Sequence, residues 1–443
     1  MNKRKTNLLI NILSKNSFIK PNIINSNINK SEFINSLNIT FNNTNIIVNK
    51  INDGVYSYHK FLWEYGHLLY LWEHFILKNT ISEYKIITNE IYNEHELKPD
   101  TLYNLFMNSS TLTVHEIDIL NLNTIRDQLA LVQTNLINKI NNVDDYFYNS
   151  LISIIYQGQL YQESVNENLI NIMQNLGIKL FSIKNNLILS LDSLEPIVIN
   201  QMIQIKGSTF YQGYNKSIYD NAKPSFVCSI NNFAVSKYKI TNYMYLEFVN
   251  AGGYINNKYW TLDGWTWLKN INLIYPIYWL YDNKNNIWYE KLWDTIPLRM
   301  NNPVVNISWY EASAYCKWKG YRLLRESEWE YLAQSNINLS NLDNGQNYNT
   351  RHTISVLKDK SINSHGIVGL FGNCWEWCYE TFYPYDGFVK DIINPQMSYP
   401  LFGKTKVCRG GSWASSSRII TSYYRKPIAP ECYIEYTGFR VAI

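Results

Sequence analysis

Seven histidines and six cysteines are the side chains of this 443-residue chain best suited to metal or nucleophilic chemistry. His59, His67 and His74 fall on one predicted helix. A helix rises 1.5 Å per residue, so His59 and His67 lie roughly 12 Å apart along its axis, and His67 and His74 about 10 Å. No two of them can hold one ion on a straight helix. His95, His115, His352 and His365 stand in no motif, and the last two fall in loops. The cysteines, Cys228, Cys316, Cys374, Cys378, Cys408 and Cys432, lie in the second half without the paired spacing of a disulfide framework. They read as buried structural thiols in a reducing compartment.

The elements that must position these residues divide the chain. Residues 1–50 are rich in Asn, Ile, Lys and Ser, and predict a loosely ordered start with at most one short helix. Residues 51–177 have a helical period: Tyr58, Leu62, Tyr65, Leu69, Trp72 and Phe75 form one apolar stripe. The same period returns over 120–140 and 146–176, and Gly177 stands where a helix stops. Three or four long helices predict an up-and-down bundle. Residues 178–202 read as a linker or short strands. From 203 to 443 Trp, Tyr, Gly and Pro become frequent and the helical period is mostly lost, leaving helices over 309–319 and around 327–334 among short strands and long loops.

Composition excludes several classes. The net charge of +4 is spread along the chain, with no dense Lys/Arg block to meet a nucleic acid. No run of about 20 apolar residues predicts a membrane span. Lys3, Arg4 and Lys5 precede an interrupted apolar run too polar for a signal peptide. A cytoplasmic protein is expected, with the acid-free start to Glu32 leaving organelle targeting open.

The second half also carries an ordered series of motifs. They include Gly207-Ser-Thr-Phe-Tyr-Gln-Gly213, Phe248-Val-Asn-Ala-Gly-Gly-Tyr254, Asn302-Pro-Val-Val-Asn-Ile-Ser-Trp309 and Arg322-Leu-Leu-Arg-Glu-Ser-Glu-Trp-Glu330. Gly369-Leu-Phe-Gly-Asn-Cys-Trp-Glu-Trp377, Arg409-Gly-Gly-Ser-Trp413 and Thr437-Gly-Phe-Arg440 follow. This half resembles the formylglycine-generating-enzyme, or sulfatase-modifying-factor, domain, a C-type-lectin-related α+β fold. The Gly-Gly-Tyr block, the Phe382-Tyr-Pro-Tyr-Asp-Gly-Phe388 segment and a preceding DinB-like helical bundle are similar to the sulfoxide synthases of ergothioneine and ovothiol biosynthesis. The resemblance implies a mixed α plus α+β architecture. It also implies a non-haem iron(II) oxidoreductase that uses O2 to join a thiol to the imidazole of a histidine derivative, with the chemistry at the cleft between the two halves.

Carried onto this chain, the resemblance places His67 at one iron-ligand position. Gln157 and Tyr161 stand where the family has its other two histidines, with Glu163 kept two residues on. Positions i and i+4 share a helix face, which lets two imidazoles reach one ion; Gln and Tyr do so poorly, because a neutral amide is weak and a phenol ionises only near pH 10. Leu160 replaces a substrate-contacting Gln. Tyr385 matches the family's active-site tyrosine, Arg425 can fork a substrate carboxylate, and Trp413 joins it as a substrate contact. Asn373 and Glu376 mark a structural calcium position. The loss of two imidazoles supports an alternative: an inactive or repurposed binding protein on the same scaffold. A true formylglycine-generating oxidase ranks last, because the stretch after Gly411 has no cysteine.

Overall fold

The computed structural model describes residues 29–51, 59–73, 122–180, 201–291, 293–335, 351–391 and 398–443. The chain separates into two units, 1–180 and 181–443. His74, His95, His115 and the strand-like stretches proposed over 181–200 lie outside the described residues.

The first unit is helical. Its described helices are α1 (Lys30–Val48), α2 (His59–Tyr70), α3 (Leu122–Asn142) and α4 (Asp145–Asn175). The sequence period located α3 and α4 to within two residues. Gly177 takes φ +72°, and the Ile178 amide closes back onto the Met173 carbonyl, the left-handed ending that glycine permits. α1 is longer than the low-complexity reading of 1–50 allowed. Asn29 caps it by accepting from the Ser31 amide, and Phe33, Leu37, Phe41, Ile47 and Val48 bury one face. Between these apolar residues Thr40 and Thr44 point at α4. Thr40 Oγ1 donates to Glu163 Oε1 (2.9 Å), Thr44 Oγ1 to Asn166 Oδ1 (2.8 Å), and Gln162 Nε2 to Thr44 Oγ1 (2.6 Å). An Asn-rich helix is thus specified by a ladder of polar pairs beside its apolar contacts, since each buried polar atom needs a partner.

Among its described residues the second unit contains two four-stranded sheets, a three-stranded sheet and a hairpin. β1 (Met202–Ile205), β4 (Phe233–Ser236), β8 (Arg322–Leu323) and β13 (Val441–Ala442) form the first in the order β1-β4-β13-β8, so the last strand of the chain closes it from within. β9 (Trp375–Thr381), β10 (Lys406–Arg409), β11 (Lys426–Ile428) and β12 (Thr437–Gly438) form the second, in the order β11-β10-β9-β12. β2 (Ser208–Gln212) pairs β3 (Phe226–Ile230), and β5 (Trp279–Asp282), β6 (Ile287–Lys291) and β7 (Thr295–Pro297) pair in order. Among the described residues four α-helices accompany them: α5 (Asn242–Asn250), α6 (Leu262–Ile271), α7 (Trp309–Lys319) and α8 (Glu326–Gln334). The core joins Val235, Leu324, Trp329, Leu332, Leu370, Phe382, Val407 and Ala442 from both sheets and α8.

The sequence reading located α7 and α8 but passed over α5 and α6. Both are short and aromatic-rich, so their period is weak; their starts were legible only as Thr241 and Thr261, which cap the amides of Met244 and Gly264. The Gly-Gly-Tyr block proves to be an anchor. A Cβ on Gly253 would meet the Phe248 ring at 2.4 Å. Tyr254 donates to the buried Glu311 carboxylate (2.5 Å), whose other oxygen accepts the Ser308 amide in the α7 capping box.

Candidate functional site

In the first unit α2 carries His67 and α4 carries Tyr161, and the fold brings them into direct contact: Tyr161 Oη and His67 Nδ1 are hydrogen-bonded in the bundle core. Both are buried. Burial, and secondarily the charge of Glu64, holds the Tyr161 phenol well above its ordinary ionisation range. A neutral phenol can donate its hydrogen to Nδ1, which fixes the imidazole as its Nε2–H tautomer. The ring is flanked by Trp63 (centroids 4.9 Å apart, 20° between planes) and Tyr70 (5.9 Å, 17°). Gln157 lies one turn before Tyr161 and is half-buried, and Leu160 is buried. Glu163 faces away toward α1 and accepts from Thr40.

This donor set does not fit an iron(II) triad. Such a site asks for three basic donors on one face of the ion. Here one imidazole nitrogen is engaged by a neutral phenol, the second position is that phenol and the third is an amide. Among the described residues no group of three or more His, Cys, Asp or Glu could hold a metal ion.

In the second unit Tyr385 and Arg425 come together around α8. Arg425 grips Glu326 as a fork (Nε to Oε1 2.6 Å, Nη2 to Oε2 3.0 Å) and donates to the carbonyls of Asn221 (2.7 Å) and Tyr383 (3.0 Å). Its guanidinium lies 4.2 Å from the centroid of the Tyr385 ring. Tyr385 accepts from Gln212 Nε2 (3.2 Å), and burial pushes its phenol up. Arg409 shares the same acids, bonding Glu326 Oε1 (2.9 Å) and Glu330 Oε2 (2.8 Å). Burial would raise Glu326, but Arg425 and Arg409 together hold its carboxyl below the usual range; Glu330, with burial prevailing, is pushed up. The two cations and two carboxylates cancel. A substrate carboxylate reaching Arg425 would have to displace Glu326. Trp413 is also interior, its amide on the Asn373 carbonyl (3.1 Å) and its ring 4.9 Å from that of Tyr436.

The sequence reading did not see this quartet. Its signal was present in Glu326 and Glu330, four residues apart on α8, since two acids on one buried helix face require cations. Nor did it see Lys239. At the calcium position Glu376 is paired with Lys239 (3.2 Å) and Arg440 (3.0 Å), and the side-chain oxygen of Asn373 is turned to the Ile354 amide (3.0 Å). The position is filled by cations of the chain itself, and calcium does not fit.

Cys316, Cys374, Cys378 and Cys408 are buried, and no disulfide joins the six cysteines. Burial pushes each of these four up, Cys374 to about 11, so none is a ready thiolate. His352 is held by Arg299 Nη1 (2.9 Å); burial and that neighbour push it down to about 4. Among the described residues no helix is long and apolar enough to cross a membrane.

With this geometry in place, comparison with known proteins is informative. The profile of the sulfatase-modifying factor enzyme 1-like domain matches residues 193–443. The chain is 27% identical over 274 residues to a hercynine oxygenase of Mycolicibacterium smegmatis, covering 56% of this chain and 62% of that protein. It is 27% identical over 238 residues to a hercynine oxygenase of Mycobacterium tuberculosis, covering 50% and 55%. A formylglycine-generating enzyme of Mus musculus is 24% identical over 285 residues, covering 56% and 76%. The alignments with the two hercynine oxygenases thus span little more than half the length of those relatives.

Proposed function

The chain belongs to the sulfatase-modifying factor enzyme 1-like domain family through residues 193–443, and from that premise we propose that it binds a small histidine derivative without carrying out iron-dependent oxygenation. The ligand class is supported by the similarity to the hercynine oxygenases. The observation that carries the rest is the His67–Tyr161 hydrogen bond, an imidazole–phenol pair at the position the resemblance gives to three imidazoles. The internal Arg425–Glu326 fork supports the same reading, because it withdraws the cation suited to a thiol substrate's carboxylate. A cytoplasmic setting is supported by six cysteines that form no disulfide.

Similarity to three hercynine oxygenases favours a second reading, an O2-dependent sulfoxide synthase that joins a thiol sulfur to the imidazole of its substrate. Calorimetry on protein purified without oxygen separates the two. The first reading expects one-to-one heat with hercynine and none with iron(II), and expects the double variant Gln157→His/Tyr161→His to acquire stoichiometric iron(II). Tight iron(II) binding by the unaltered protein, abolished in His67→Ala, would sink it. Oxygen consumption with hercynine and a thiol would then establish the second.

A further inference from the structure

The ammonium of Lys239 has the surroundings of a bound metal ion. It is 2% exposed, and its ligands are all oxygen: the Gly372 carbonyl at 3.0 Å, the Cys374 carbonyl at 2.7 Å and Glu376 Oε1 at 3.2 Å. Two backbone carbonyls and a carboxylate are the donors that a hard cation selects. The loop that presents them turns through left-handed residues, Gly372 at φ +76° and Asn373 at φ +67°, which aims alternate carbonyls at one point. Arg440 completes the cluster from β13's side, donating to both oxygens of Glu376 and to the carbonyls of Ser236, Lys237 and Val368. Asp359, whose carboxylate accepts from Ser361, is the second acid that these two cations face.

The charges decide what else can enter. Lys239 and Arg440 supply two positive charges; Glu376 and Asp359, whose carboxyl burial raises, supply at most two negative ones. A divalent ion added to that set would leave at least two positive charges uncompensated in a buried place, a cost that pairing cannot offset. We infer that Lys239 is a resident cation: its ammonium takes the place of a metal ion in this loop, makes the fold of the second unit independent of calcium, and conceals a cradle that accepts a divalent ion once the ammonium is removed. Lys239 reaches the loop from the segment between β4 and α5, so the ion and its cradle come from different parts of the chain and tie them together as a bound metal would.

Thermal melts of the full chain in EDTA and in millimolar calcium chloride test this, with terbium luminescence as a direct readout of ion binding. The unaltered protein is expected to melt at the same temperature in both media, within about 1 °C, and to give no terbium signal that calcium displaces. Lys239→Ala is expected to melt roughly 10 °C lower in EDTA, as a buried pair loses one partner, and to regain part of that loss in calcium while binding terbium. Lys239→Gln, which keeps one donor for the carbonyls, serves where the alanine variant does not fold. Calcium stabilisation of the unaltered protein by several degrees would overturn the inference. So would folded variants that neither respond to calcium nor bind terbium.

Discussion

The two units of this protein hold their buried polar groups by different means. Around His67 and along the α1–α4 seam most pairs join hydroxyl, amide or ring groups, phenol with imidazole, threonine with carboxamide and amide with hydroxyl, while the Glu163 carboxylate accepts from Thr40. Around α8 and β9 they are ionisable groups of opposite sign, Arg409 and Arg425 with Glu326 and Glu330, Lys239 and Arg440 with Glu376 and the nearby Asp359. A neutral pair contributes about 1 kcal/mol and tolerates exchange. A buried ion pair contributes little beyond its own desolvation, yet losing one member leaves a stranded charge. The ion-paired clusters of the second unit are therefore bound to their residue types more tightly than the His67–Tyr161 contact is.

The sharpest way to break the comparison is Arg409→Met. It takes the cation from the buried Glu330, while Glu326 keeps its Arg425 fork, and is expected to cost about 3–5 kcal/mol, measured by urea unfolding followed through tryptophan fluorescence. A loss below 1 kcal/mol would show that the quartet is dispensable. A smaller effect is expected from Glu311→Gln. Burial raises the Glu311 carboxyl to about 7, above the 4.5 of the exposed group, so the folded state holds the extra proton and stability falls as pH rises from about 4.5 through 7. The variant should remove up to about 3 kcal/mol of that decline across the window. Glu380, also raised to about 7 by burial, leaves part of it in place. His352, pushed down to about 4, tilts the profile the opposite way over roughly pH 4–6.5. An unchanged profile between the protein and Glu311→Gln would refute the assignment. The smallest effect belongs to the helical unit: Tyr161→Phe should cost about 1–1.5 kcal/mol. A loss approaching that of Arg409→Met would erase the contrast between the units.

Much of the fold was legible before any coordinates. The period of α3 and α4, the glycine that ends α4, the helices α7 and α8 and the ordered Gly and Trp motifs all follow from local rules of spacing and backbone freedom. α1 was harder to see, because its buried face alternates apolar residues with threonines whose partners are more than a hundred residues away. The candidate sites divide along the same line. His67, Gln157 and Tyr161 were found by their place in a pattern, and Tyr385, Arg425 and Trp413 by motif. That Tyr161 bonds His67, that Arg425 closes on Glu326 and that Glu163 turns to Thr40 could not be read from spacing.

The sequence by itself determined the order of the main elements and the family of the second unit, because each depends on residue type and short-range spacing. Only the tertiary structure decided which charges meet. Lys239 and Glu376 are separated by 137 positions, and Glu326 and Arg425 by 99. Nothing local distinguishes an arginine that receives a substrate from one that is consumed by the core. The choice rests on which carboxylate the folded chain places within 3 Å of it, and here that carboxylate is its own.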